Sequence, residues 1–249
     1  VEGTELEKWY REERYQPYDF DTMINLLVEI KSMVPKYARI SRVLRDIPPK
    51  FIVAGLKDSL REVIQQRLKE KALECKCIRC REYGHRVRDG WEIGKPRMVR
   101  MDYEASGGRE IFLSFEDERE TLFGLLRLRI QPKPIARLGT ETNGNLALIR
   151  ELHIYGAEVA LHQRNQAAAQ HKGLGKALLR EAERIAGEEF GVQTTVVLSG
   201  TGAKEYYRTE FGYRSQSDYM VKNLLPQSAS DGHPQCQSDG QSHVALPSV

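Results

Sequence analysis

The chain has 249 residues, 40% of them hydrophobic, enough for one large or two modest domains with buried cores. No stretch reaches the roughly 18 consecutive apolar residues of a helical membrane span, so none is expected. The net charge of +3 is unevenly spread: residues 31–100 hold 19 Lys/Arg against 8 Asp/Glu, residues 1–30 hold 3 against 8, and residues 101–249 hold 16 against 19. A segment carrying +11 beside a near-neutral remainder points to a polyanionic partner, of which nucleic acid is the commonest; an ordinary solvated basic face is the alternative. The opening VEGTELEKWYREERYQPYDF is too charged for a signal peptide and does not begin with Met, which leads us to expect an internal cut in a longer protein.

In chain order, Asp19 or Asp21 can cap a helix whose apolar positions Met23, Ile24, Leu27, Ile30 and Val34 follow the 3.6-residue period, with Pro35 as its stop. Residues 37–49, YARISRVLRDIPP, read as a short strand running into a double-proline stop. Ser59 to Leu73 reads as a second amphipathic helix, with Leu60, Val63, Ile64 and Leu68 on one face. One strand between two helices does not close a domain, so residues 1–73 are expected to be the end of an α/β barrel. From Arg97 the pattern becomes β-rich: MVRMDY, EIFLSFE, TLFGLLRLRI and LALIRELHIY, separated by Gly, Asn and charged turns. A helix from Gly173 to about Phe190 follows, then the strand TTVVLS, a short helix KEYYRTE and a last strand DYMVKNL. The tail 226–249 is rich in Ser, Gln and Gly, and disorder is expected there.

The most informative stretch is Gln170-His171-Lys172-Gly173-Leu174-Gly175-Lys176-Ala177-Leu178-Leu179. Two glycines at this spacing let the backbone turn tightly into a helix, whose first-turn N–H groups stay unpaired and whose dipole favours an anion. A pyrophosphate fits such a nest, and Lys172 and Lys176 would add positive charge at its rim. By itself a Gly-x-Gly before a helix is equally a plain turn. The order around it is strand, loop, Gln-x-x-Gly-x-Gly, helix, strand, short helix with paired tyrosines, and Phe-Gly-Tyr. This order resembles the GNAT acetyltransferase superfamily.

That resemblance implies a mixed, twisted sheet with flanking helices over residues 97–225, with acetyl-CoA as the cofactor. It implies that Glu151, Leu152, His153 and Ile154 line the pantetheine arm. Leu174, Gly175, Lys176 and Ala177 would hold the pyrophosphate, with Gln170, His171, Lys172 and Gly173 of the same turn as further cofactor-binding residues. It also implies that a tyrosine of the short helix protonates the departing thiolate. Tyr206 is the expected donor, since a phenol of ordinary pKa is protonated near neutral pH, and Tyr207 should point elsewhere. The alternative is that both tyrosines merely pack a small helix.

Further blocks extend the resemblance: RELHIYG, QHKGLGKALLREAERIA, LSGTGAKEYYRTEFGYR, DYMVKNL, GLLRLR, and the group Tyr37, Arg39, Arg42, Arg45, Asp46, Ile47, Pro48. Together they are similar to the Elongator catalytic-subunit family, which joins a radical S-adenosylmethionine (SAM) barrel to a GNAT domain. The family modifies C5 of the wobble uridine, U34, in tRNA. The resemblance implies a tRNA partner, engaged at its anticodon stem-loop, and other Elongator subunits. One departure matters: the Cys-x-x-x-Cys-x-x-Cys motif that holds the family's [4Fe–4S] cluster is not in this sequence. The cluster and SAM are therefore expected in a preceding part of the protein.

Cys75, Cys77 and Cys80 put three thiols within six residues of a linker spanning 74–96. Thiolates this close can hold one tetrahedral zinc, with His85 or a group from the rest of the barrel as fourth ligand; a redox pair or buried free thiols is the alternative. The resemblance likewise implies a structural zinc. Lys76, Arg79, Arg81, Arg86 and Arg88 flank the cluster and would present a basic surface to phosphates. Crowded cysteines are not a disulfide framework, and a reducing, cytoplasmic setting is expected. The functional readings weighed are tRNA U34 modification, protein lysine N-acetylation on the same scaffold, and a non-catalytic RNA-binding module.

Overall fold

The computed structural model describes residues 1–45, 47–57, 60–131, 146–156 and 173–224. Asp46, Ser59, the turn residues Gln170, His171 and Lys172, and the tail 226–249 lie outside them. Among the described residues no helix is long and apolar enough to cross a membrane.

The first lobe is helical. Helix α1 spans Glu5–Arg11 and has no counterpart in the sequence reading. Asp19 caps α2 (Phe20–Met33), its carboxylate accepting from the Thr22 N–H, and Val34 turns extended ahead of Pro35. The buried face of α2 is Ile24, Val28 and Lys31, while Ile30 is exposed. Helix α3 (Arg61–Glu70) lays Ile64 and Leu68 against α2, with Leu60 beside them in the same core. Cys75 and Cys77 belong to that core. The strand expected within 37–49 does not form among the described residues. Its alternating pattern has no neighbouring strand to pair with, and its side chains are used singly: the Tyr37 ring stacks on Tyr103 with centroids 3.8 Å apart, and Arg39 pairs with Glu82. Two short helices follow Cys77, α4 (Ile78–Arg81), which includes Cys80, and α5 (Tyr83–Arg88).

The second lobe is a seven-stranded sheet in the order β1-β2-β3-β4-β5-β7-β6. Its strands are β1 (Arg97–Ala105), β2 (Gly108–Glu116), β3 (Leu122–Gln131), β4 (Leu146–Ile154), β5 (Thr194–Val197), β6 (Arg214–Gln216) and β7 (Tyr219–Asn223). All neighbours are antiparallel except β4 and β5. That parallel pair requires a crossover, which includes α6 (Leu174–Arg184) and its π-helical extension Ile185–Glu189.

Leu178, Leu179, Ala182 and Ile185 seal one sheet face against Leu126, Leu128 and Ile149 in the main core. Helix α7 (Lys204–Phe211) adds Tyr207 and Phe211 to it. On the other face Ile78 of α4 packs with Phe112, Leu122 and Leu125, flanked by Tyr37 and Tyr103. The first lobe therefore sits against β1–β3. Burial on both faces accounts for the continuous apolar runs of β2 and β3.

Candidate functional site

The sheet divides where the sequence places the pantetheine strand. Register between β3 and β4 shifts from Arg127↔Glu151 to Leu128↔Ile149, so Arg150 is the extra residue of a β-bulge. Pairing of β4 with β5 stops at Ile149↔Val197. Beyond it Glu151, Leu152, His153 and Ile154 pair only with β3 among the described residues. The edge of β4 that faced β5 is thus open over these four residues, and an extended, amide-bearing chain can add to such an edge. Leu152 and Ile154 turn toward the main core. Glu151 lies on the opposite face, bonded by Arg127 Nε at 2.8 Å, and the His153 ring sits 4.3 Å from that of Tyr155.

The N-terminus of α6 opens at this cleft. Gly173 is its N-cap at φ +92°, a left-handed conformation natural only to glycine, and among the described residues no side chain caps the first turn. The N–H groups of the first turn thus have no side-chain acceptor, and the helix dipole adds positive potential there. Gly175 joins the parts of the site. A methyl group at its Cα would lie 3.5 Å from Ile154 Cγ1 and 3.9 Å from the Tyr206 hydroxyl, so the helix start, the β4 edge and the phenol converge on one residue. Lys176 is not a free rim charge, because its ammonium pairs with Glu210 of α7.

Consecutive residues of a helix point about 100° apart, and this separates the two tyrosines. Tyr207 is buried, edge-on to Tyr213. Tyr206 is partly exposed, edge-on to Phe211, with its hydroxyl at the start of α6. Partial burial raises the Tyr206 pKa above the ordinary phenol value, opposed by the Lys176 charge and helped by Glu210. The group is a proton donor at any physiological pH.

A second constellation lies in the first lobe. The sulfurs of Cys75, Cys77 and Cys80 are all within 4.8 Å of one another. Cys77 stands at the N-cap of α4 and Cys80 one turn later. Hydrogen bonds with Cys75 and Cys80 draw the Cys77 thiol toward the thiolate, while those with Cys75 and Cys77 push Cys80 the other way. The buried Lys31 ammonium is 3.8 Å from Cys80 Sγ. A zinc at about 2.3 Å from each sulfur needs sulfurs about 3.8 Å apart, and this trio fits that requirement with little movement. His85 is not in the group. The chain kinks at Glu82, and α5 turns His85 toward Glu82 Oε2 at 3.5 Å and Arg88 at 2.6 Å.

The flanking basic residues divide in a way the sequence did not reveal. Arg81 is fully buried, bonded to Glu116 at 2.9 Å and to the Lys76 and Lys36 carbonyls. Arg86 is 3% exposed, pairs with Glu74 and stacks on Trp91. Neither can offer its charge to a phosphate. The sequence reading also passed over the junction of the lobes, where Arg39 reaches both Glu82 and the Tyr155 hydroxyl. Burial there pushes the Tyr155 pKa up to about 12. Its one sequence signal was the Tyr37-Arg39 block.

Comparisons with known proteins agree with this geometry. The profile of the Acetyltransferase (GNAT) family covers residues 78–213, and that of the Radical_SAM C-terminal domain covers residues 1–70. The chain is 54% identical over 224 residues to a tRNA uridine(34) acetyltransferase of Dehalococcoides mccartyi, covering 90% of this chain and 49% of that protein. It is 40% identical over 231 residues to the human Elongator complex protein 3, covering 90% and 41%. Among solved structures, the archaeal Methanocaldococcus infernus Elp3 with an N-terminal deletion superposes with a TM-score of 0.79 at 42% identity, covering 90% of this chain and 53% of that one. The chain thus spans about half the length of the curated relatives it matches. With the split sheet, the glycine-started helix and the family profile in agreement, the chain belongs to the acetyltransferase (GNAT) family, preceded by a radical SAM C-terminal domain.

Proposed function

We propose that this chain supplies the acetyl-CoA half of an enzyme that modifies C5 of the wobble uridine, U34, in tRNA. The observation that carries the reading is the meeting of α6, β4 and Tyr206 at Gly175; the names of the relatives supply the tRNA substrate. Acetyl-CoA supplies the two-carbon unit. The pyrophosphate lies at the first turn of α6, on the amides of Leu174, Gly175 and Lys176 and beside Ala177, whose own N–H donates to the Gly173 carbonyl at 2.9 Å, with Gly173 and the preceding Gln170, His171 and Lys172. The pantetheine amides add to the open edge of Glu151–Ile154. Tyr206 holds its proton at Oη and delivers it to the departing sulfur. Zinc sits on Cys75, Cys77 and Cys80, with its fourth ligand from a group other than His85.

We assign the [4Fe–4S] cluster and SAM to a part of the relatives outside this chain. The domains are taken as 1–73, 74–96, 97–225 and a tail from 226. The partners are the tRNA anticodon stem-loop and other Elongator subunits, and the setting is cytoplasmic. Lysine N-acetylation is not favoured, since the relatives are named for tRNA. Acetyl-CoA binding by calorimetry and acetyl-CoA hydrolysis with added tRNA or added lysine peptide test the reading together. Binding with hydrolysis accelerated by tRNA is expected; acceleration by the peptide alone overturns it.

A further inference from the structure

Several of the basic residues of 31–100 are already paired with carboxylates of the fold. Arg39 pairs with Glu82, Arg67 with Glu70, Arg81 with Glu116, Arg86 with Glu74, and Arg100 with Asp102 and Glu189. Two arginines are placed differently. Arg61, the first residue of α3, and Arg79, on α4, each direct a guanidinium N–H at one acceptor, the Ser41 carbonyl, both at 3.4 Å. Neither has a carboxylate partner among the described residues.

Contacts of 3.4 Å are at the long limit for hydrogen bonds, and a guanidinium carries five N–H donors, so most of this donor capacity is unspent. Two cations converging on one neutral oxygen repel each other, an arrangement that an anion between them would relieve. Space for one is present: Ser41, Arg61 and Arg79, with Arg42 and Leu60, line a cavity of about 270 Å³. The start of α3 adds to the potential, since the positive end of its dipole lies at Leu60 and Arg61, which line the same space.

We propose that this cavity takes a backbone phosphate of the bound RNA, with Arg61 and Arg79 gripping its two non-bridging oxygens. The proposal rests on the tRNA reading above and gives that reading an address in the fold. A phosphodiester is favoured over a nucleobase by the lining: among the described residues it has no aromatic ring on which a base could stack and no side-chain amide or carboxylate to read a base edge. The contact therefore holds the RNA in place without reading its sequence.

The test is tRNA binding by the chain across a salt series, comparing the parent with Arg61→Gln/Arg79→Gln. Losing two phosphate contacts should lower the slope of log Kd against log salt by roughly 1.4 to 1.8 and weaken binding roughly tenfold or more near 0.1 M salt, equally for unrelated tRNA sequences. Arg61→Lys/Arg79→Lys, which keeps the point charges, should retain most of the slope. Arg11→Gln/Arg14→Gln, the same loss of two charges at the end of α1 and just beyond it, should leave it unchanged. An unaltered melting profile together with unaltered acetyl-CoA affinity reports that both lobes of the variants are folded. A parent chain that fails to bind tRNA overturns the functional reading and this inference with it. A parent that binds, with a Gln/Gln variant of the same slope, overturns the cavity assignment alone. If free inorganic phosphate raises the melting temperature of the parent but not of the variant while tRNA binding is equal in both, the cavity is a site for free phosphate and not for RNA.

Discussion

The two lobes build their candidate sites from different materials. In the second lobe the cleft consists mostly of main chain: open amides of β4, unpaired amides of α6, and a glycine that lets the two approach. In the first lobe the site is three side-chain sulfurs on two turns of backbone. A main-chain site tolerates most side-chain changes and fails where a side chain fills its space. A side-chain site fails with the loss of any ligand. Substitutions should therefore act locally in one lobe and globally in the other.

The largest effect is expected from Cys77→Ser/Cys80→Ser. Zinc near one equivalent per chain should fall to none by elemental analysis. The first lobe should also lose cooperative melting, since structural zinc contributes folding free energy directly, on the order of several kcal/mol. Intact protein without zinc would remove the metal from the account.

Next is Gly175→Val. The branches on its Cβ would enter the space toward Ile154 and Tyr206, where even a methyl is in van der Waals contact. Acetyl-CoA affinity should fall about 100-fold, close to 3 kcal/mol, with the melting temperature little changed. Unchanged affinity by calorimetry would break the comparison at its main-chain end.

The smallest effect on binding belongs to Tyr206→Phe, which keeps the ring and removes the proton. Affinity should hold while turnover of acetyl-CoA falls on the order of 100-fold. Because burial raises the pKa of this phenol in the folded protein, the protonated form persists as pH rises. In the parent the alkaline loss of activity assigned to Tyr206 should lie above pH ~10, and it should be missing from the residual rate of the variant. A limb near neutral pH in the parent would assign the acid to another group.

What the sequence disclosed follows the same division. The long strands and α6 were legible because burial on known faces imposes periodicity, and the Gly-x-Gly turn because only glycine takes φ +92° readily. Strand β6 was missed because Arg214, Ser215 and Gln216 carry no apolar pattern; β7 alone recruits them. The strand expected at 37–49 failed for the opposite reason, a pattern without a partner. Arg81 and Arg86 read as surface charge because an arginine becomes buried only through a carboxylate far away in sequence, here Glu116 and Glu74. His85 had suitable spacing for a ligand, but the kink at Glu82 turned it away.

The short parallel pairing of β4 and β5 leaves the sheet with a seam. Among the described residues only Ala147, Leu148 and Ile149 of β4 stitch it to β5, at one end of the opening, and the two halves of the sheet meet nowhere else as strands. An extended molecule that donates and accepts along the exposed part of β4 would serve as an interior strand supplied from solution. The protein would then complete its sheet each time it loads and reopen it each time it discharges. Amide hydrogens along Glu151–Ile154 should accordingly be the backbone positions whose exchange with solvent changes most with loading.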